Sequence, residues 1–102
     1  MRCRRLLFSA HAIRRMFERR VGADEVRQVL QMGDIIATYP DDKPYPSCLL
    51  LGIVAGRPLH VVVSMSGTID AEADFYEECQ VITVYSPDPE QWRGGYRTRR
   101  RP

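Results

Sequence analysis

The chain has 102 residues, 44% of them hydrophobic and 27% charged, with a formal net charge of +2 at pH 7. That length suits one domain around a single core, and that composition excludes a wholly disordered chain. No stretch reaches the ~20 apolar residues of a membrane span, so no membrane association is expected.

The small net charge hides an uneven distribution. Residues 1–20 hold seven Arg and one Glu, residues 21–92 three basic and twelve acidic side chains, and residues 93–102 five Arg and no acid. Of the basic residues only Lys43 is Lys. Arg presents a rigid fork of donors matched to phosphate and carboxylate, so the two basic ends point to an anionic partner. The competing explanation is an Arg tail that merely solubilises. The start, MRCRRLLF, has the basic character of a leader, but its apolar run of Leu6, Leu7 and Phe8 is too short for export, and a cytoplasmic protein is expected. Cys3, Cys48 and Cys79 are odd in number, widely spaced and lack a Cys-x-x-Cys pair. They are expected to be small buried hydrophobes, with neither a disulfide framework nor a zinc site.

In chain order, Arg2 to Phe8 reads as a short strand or extended arm. Ser9 is a good N-cap for a helix from Ala10 to about Arg20. On a helical wheel Ala10, Ala12, Ile13, Met16 and Phe17 form an apolar arc, with Ile13 and Phe17 expected against a sheet. Arg14 and Glu18 are an i,i+4 pair facing solvent. Gly22 breaks the helix, and Ala23 to Met32 makes a second one with Val26, Val29 and Leu30 as its buried stripe and Gly33 as a C′ stop. Ile35 to Tyr39 is a strand, ended by a loop whose prolines (Pro40, Pro44, Pro46) forbid regular pairing.

Cys48 to Ala55 and Leu59 to Met65 are expected to form a hairpin about Gly56-Arg57-Pro58, as central strands covered on both faces. Residues 66–78 read as an acidic loop, Gln80 to Tyr85 as the last strand, and Trp92 as packing back on the domain. Residues 1–92 are thus expected to be one domain and residues 93–102 an Arg-rich flexible tail. The fold class is α+β: an N-terminal helical hairpin on a mainly antiparallel four-stranded sheet.

His11, Arg15 and Arg19 stand four residues apart along one flank of the first helix, bordering Ala12 and Met16. An imidazole in a row with two guanidiniums is a candidate phosphate or RNA site. Strand alternation puts His60, Val62 and Ser64 on one face, and Val81, Thr83 and Tyr85 on one face of the last strand. If these faces coincide, His60, Ser64, Thr83 and Tyr85 line the sheet surface within reach of His11 and Arg15. Each has a plainer alternative: His60 as a hydrogen-bonded buried histidine, Tyr85 as sheet packing, Arg15 and Arg19 as braces to Asp34, Asp41 or Asp42. Two His, no carboxylate cluster and no Gly-rich phosphate loop give no reason to expect a metal or cofactor. Cleavage of RNA by its own 2′-hydroxyl needs neither, only proton transfer and a positive group for the phosphate.

The segment FSAHAIRRMFERRVGADEV, with its His-Ala-x-x-Arg-Met-x-x-Arg pattern, resembles the opening signature of a large group of small bacterial domains of unknown function. The agreement continues through YPDDKPYPSCLLLG, GRPLHVVV and VITVYSPDPEQWRGGYRTRRR, so it runs from Phe8 to Arg101. Such domains look like members of the RelE-like superfamily of ribonuclease toxins, the barnase, EndoU, colicin and RelE grouping. That resemblance implies a RelE-like fold and a toxin of a type II toxin–antitoxin pair, a metal-independent endoribonuclease that inhibits translation. It implies as partners RNA, including ribosome-associated mRNA, and a cognate antitoxin of the small zinc-finger kind. His11, Arg15, Arg19 and His60 match motif positions, with Thr83 and Tyr85 in the final strand motif. One departure is Arg20-Val21, where relatives commonly carry Gly before the hydrophobic residue. The expected catalytic residues are His11, Arg15, His60 and Tyr85, with Arg19, Thr83, Arg93 and Arg97 binding RNA. The alternative is a non-catalytic RNA- or protein-binding module that uses its basic ends.

Overall fold

Ser9 starts the first helix of the computed structural model, which describes residues 1–100. Its hydroxyl accepts the Ala12 N–H at 2.9 Å, satisfying one of the donors a helix start leaves free. That helix, α1, spans Ala10–Arg19 and follows a first strand, β1, of Arg2–Phe8. Arg20 ends α1 in the left-handed conformation, with φ 55°, a position that favours glycine. The second helix, α2, spans Ala23–Met32. Glu25 accepts the Gly22 N–H at 3.0 Å at its start.

The rest of the chain is β2 (Asp34–Tyr39), β3 (Ser47–Val54), β4 (Arg57–Asp70), β5 (Phe75–Tyr85), β6 (Trp92–Arg93) and β7 (Thr98–Arg99). The α+β class is as expected, but the main sheet has five strands and is mixed. Its order is β1-β5-β4-β3-β2, with β1 parallel to β5 and the remaining neighbours antiparallel. The arm is an edge strand whose Cys3, Leu6 and Phe8 pack against the core, while Arg4 and Arg5 face Glu77 and Glu78 of β5, at 3.6 and 3.4 Å. The β4–β5 pairing corrects the acidic loop expected at 66–78. Most of that stretch is strand, with β4 running on to Asp70 and β5 beginning at Phe75. The β3–β4 turn is Ala55-Gly56, both at positive φ, the backbone twist that two-residue hairpins favour.

The core lies between the helices and one face of the sheet, with α1 over β5 and α2 over β3. Val26, Val29 and Leu30 of α2 are buried as expected. Gly52 makes that approach possible, since a Cβ there would sit 2.8 Å from the Val29 side chain. Gly33 ends α2 as expected, in extended conformation with φ −77°, and serves the same contact, since a Cβ there would sit 2.5 Å from Val29 O and 2.7 Å from Leu51 O. In α1 the buried residues are Ala12 and Met16, whereas Ile13 and Phe17 are exposed, contrary to expectation.

Two further expectations are corrected. Cys3 and Cys79 form a disulfide with Cα atoms 5.8 Å apart, and only Cys48 remains a buried free thiol. Residues 76 apart in sequence are brought together by the parallel β1–β5 pairing, which spacing does not disclose. The expected tail folds back as the β6–β7 hairpin over residues 92–99. Arg101 and Pro102 of that tail lie outside the described residues.

Candidate functional site

The exit from β1 places His11. The Ser9 N–H donates to Val81 O at 3.0 Å, and its hydroxyl donates to Ile82 O at 3.0 Å, so α1 begins against the edge of β5. His11, exposed in the first turn, then lies with Nε2 3.1 Å from Thr83 Oγ1. Arg15 and Arg19 follow on the same flank at one-turn intervals. Arg15 is held at 2.9 Å by Glu18, the partner expected of Arg14. Among the described residues Arg19 has no carboxylate within salt-bridge reach. Asp34 pairs with Arg97, so neither Arg15 nor Arg19 braces it.

Strand β5 carries a bulge at Ile82, because Val62 pairs with Thr83 and Val63 with Val81. The irregularity shifts the alternation, so Val81 and Val84 both enter the helix-facing core. Thr83 and Tyr85 stay on the opposite side, about 7 Å apart along the strand. Tyr85 stands directly across from His60, so the polar faces of β4 and β5 do coincide at this pair.

His60 is fully buried. Its Nε2 lies 2.9 Å from Tyr96 O, its Nδ1 3.1 Å from Tyr85 Oη, and its ring meets Trp92 edge-on at 4.4 Å between centroids. Burial pushes its pKa down, against a smaller upward pull from the bond to Tyr96. A carbonyl can only accept, so a neutral His60 carries its proton on Nε2 and accepts the Tyr85 hydroxyl at Nδ1. Burial raises the pKa of Tyr85, which stays protonated at neutral pH. His60 therefore joins the sheet to the C-terminal hairpin instead of facing solvent.

The site residues thus separate into groups. His11 and Thr83 meet, with Arg15 and Arg19 beside them on α1; His60 and Tyr85 form a second, buried-to-surface pair. Arg93 is exposed on β6, across from Thr98, while Arg97 is paired with Asp34, away from His11. Sequence reasoning missed Arg99, which stands across from Trp92 and whose charge is felt by Tyr85. The available signal was Gly94-Gly95, a turn between Trp92-Arg93 and a run in which Arg97 and Arg99 alternate with Thr98. It also missed Arg57, which reaches Arg19 O at 3.2 Å, Arg20 O at 3.3 Å and Glu25 at 3.0 Å. This guanidinium caps the carbonyl end of α1. The Gly22 N–H bond, with help from Arg57, holds the Glu25 carboxyl below its ordinary pKa.

Among the described residues no cluster of three or more His, Cys, Asp or Glu is placed to hold a metal ion, and no helix is long and apolar enough to cross a membrane. The family described as Domain of unknown function (DUF4258) matches residues 8–86. The chain belongs to that family. The matched span begins with the strand end that positions His11 and takes in Thr83, Tyr85 and His60, but stops before Trp92 and Tyr96. The DUF4258 region therefore contains the His11–Thr83 pair whole, whereas the cover over His60 lies outside it. Comparison with curated proteins gave no match, and neither did comparison with solved structures.

Proposed function

We propose that the protein is a metal-independent endoribonuclease of the RelE-like toxin type, acting on RNA at the α1–β5 edge. The observation that carries this reading is the exposed His11 imidazole 3.1 Å from Thr83 Oγ1, in a row with Arg15 and Arg19. His11 takes the proton of a ribose 2′-hydroxyl as its oxygen attacks the adjacent phosphorus, and the 5′-oxygen leaves and is protonated from solvent. Thr83 orients the imidazole. Arg19, and Arg15 after release from its exposed partner Glu18, bind the phosphate as charge builds on it; an exposed ion pair costs only about 0–1 kcal/mol to open. Tyr85, its proton committed to His60, offers lone pairs to a ribose hydroxyl and is a positioning residue. Toxin action, a zinc-finger antitoxin partner and a cytoplasmic setting belong to the same proposal.

The test is cleavage of purified RNA in the presence of a chelator. His11→Ala should lower the rate about 100-fold or more with melting unchanged, and induced wild-type protein should arrest growth where the variant does not. RNA left intact by the wild type, or cut equally by His11→Ala, overturns the enzyme reading. The burial of His60 favours one alternative, because it leaves a single exposed imidazole. In that case the chain is a non-catalytic RNA-binding module, and binding falls steeply with salt but survives His11→Ala.

A further inference from the structure

α1 carries more apolar surface than the sheet takes up. Its buried line is Ala12 and Met16, yet Ile13 is 56% and Phe17 86% exposed. These two stand one turn apart, beside the exposed Ala10, on the flank away from His11, Arg15 and Arg19. Arg14 borders the stripe on one side, and Arg20 closes it at the helix end. Among the described residues neither guanidinium has a carboxylate within salt-bridge reach.

We propose that this flank of α1 is a docking surface for an acidic amphipathic helix of another protein. A partner helix with apolar side chains at i and i+4 can cover Ile13 and Phe17. Carboxylates at the edges of that stripe complete Arg14 and Arg20. A second copy of this chain is a poor occupant, since a symmetric contact would bring the same Arg residues face to face. RNA gains nothing from Ile13, whose aliphatic side chain offers a base neither a hydrogen bond nor an aromatic face to stack on. A lipid surface needs a broader apolar band than two side chains provide. The inference is independent of the ribonuclease reading, because it uses none of those residues.

A suitable probe is a synthetic peptide of about 18 residues with Leu on one helical face and Glu along its borders, titrated into the full chain by calorimetry. Its scrambled isomer serves as control. One-to-one binding is expected, absent for the scrambled peptide and weakened about tenfold or more by Phe17→Ser. Arg14→Glu should weaken it as well. The exposed Phe17→Ser change should leave the melting temperature where it was, separating docking from folding. No binding, equal binding of the scrambled peptide, or binding indifferent to Phe17→Ser overturns the proposal. So does a Phe17-dependent dimer in sedimentation, or Phe17-dependent capture of polyuridylate or of anionic phospholipid vesicles in place of the peptide.

Discussion

His60 shows how one side chain is decided by what covers it. Flanked by valines and leucine on β4, it is compatible with either a sheet-surface acid–base group or a satisfied interior histidine. The Tyr96 carbonyl and the Trp92 ring settle it as interior. Its folded pKa is lowered from 6.5, so the unfolded chain binds the proton more readily than the folded one. Above about pH 6.5 neither state holds the proton and the contribution is complete; as pH falls below that value, stability is lost. Urea midpoints should drop between pH 7.5 and pH 5 in the wild type, and His60→Gln should flatten that part of the profile. An equal drop in the variant would assign it to other groups. Thr83 was legible as a strand residue facing away from the core. Its approach to His11 followed only if the polar faces coincided, and the bulge at Ile82, which puts Val81 in the core and leaves Thr83 outside it, is not visible in strict alternation.

At the scale of elements, the helical hairpin was readable because caps and periodicity are local. Ser9, Gly22 and the stripe of Val26, Val29 and Leu30 all do what their types suggest. The face of α1 was misread for a physical reason: five apolar residues span an arc wider than one sheet contact can bury, and the wheel does not say which edge is left over. Element packing also rests on a residue with no side chain. Gly52 lets α2 approach β3 with Val29 directly above it. Gly52→Ala should push the helix outward and cost about 1–3 kcal/mol, measured as a lower urea midpoint. No change in the midpoint would mean that α2 slides without penalty.

For the whole molecule, the charge pattern has two destinations. Part of the basic start is matched within the chain, where the exposed Arg4 and Arg5 meet Glu77 and Glu78 across the β1–β5 ladder. Among the described residues Arg14, Arg19 and Arg20 have no carboxylate within salt-bridge reach, which is why the two proposals above rest on them. The Cys3–Cys79 bond ties the same two strands across a sequence separation of 76 residues. Disulfides typically contribute about 2–4 kcal/mol, more for long loops. Cys3→Ser, or reduction of the wild type, should lower the denaturation midpoint accordingly. An unshifted midpoint would show that the ladder alone holds β1. Cytosolic thiols are kept reduced, so a test of the cytoplasmic setting proposed above compares RNA cleavage by the oxidised and the reduced protein.

What the chain determined by itself was what nearest neighbours along it decide: two capped helices, apolar strands, a turn near Gly56, and the one-turn spacing of His11, Arg15 and Arg19 on one flank of α1. Hydrogen bonding within helices and alternation within strands depend on residues a few positions apart. Only the tertiary structure decided that Arg2–Phe8 is an edge strand parallel to β5, that the Arg-rich end folds over His60, and that Ile13 and Phe17 stay outside. Each of these depends on a contact between distant segments, and local periodicity carries no information about which segment comes to lie beside another.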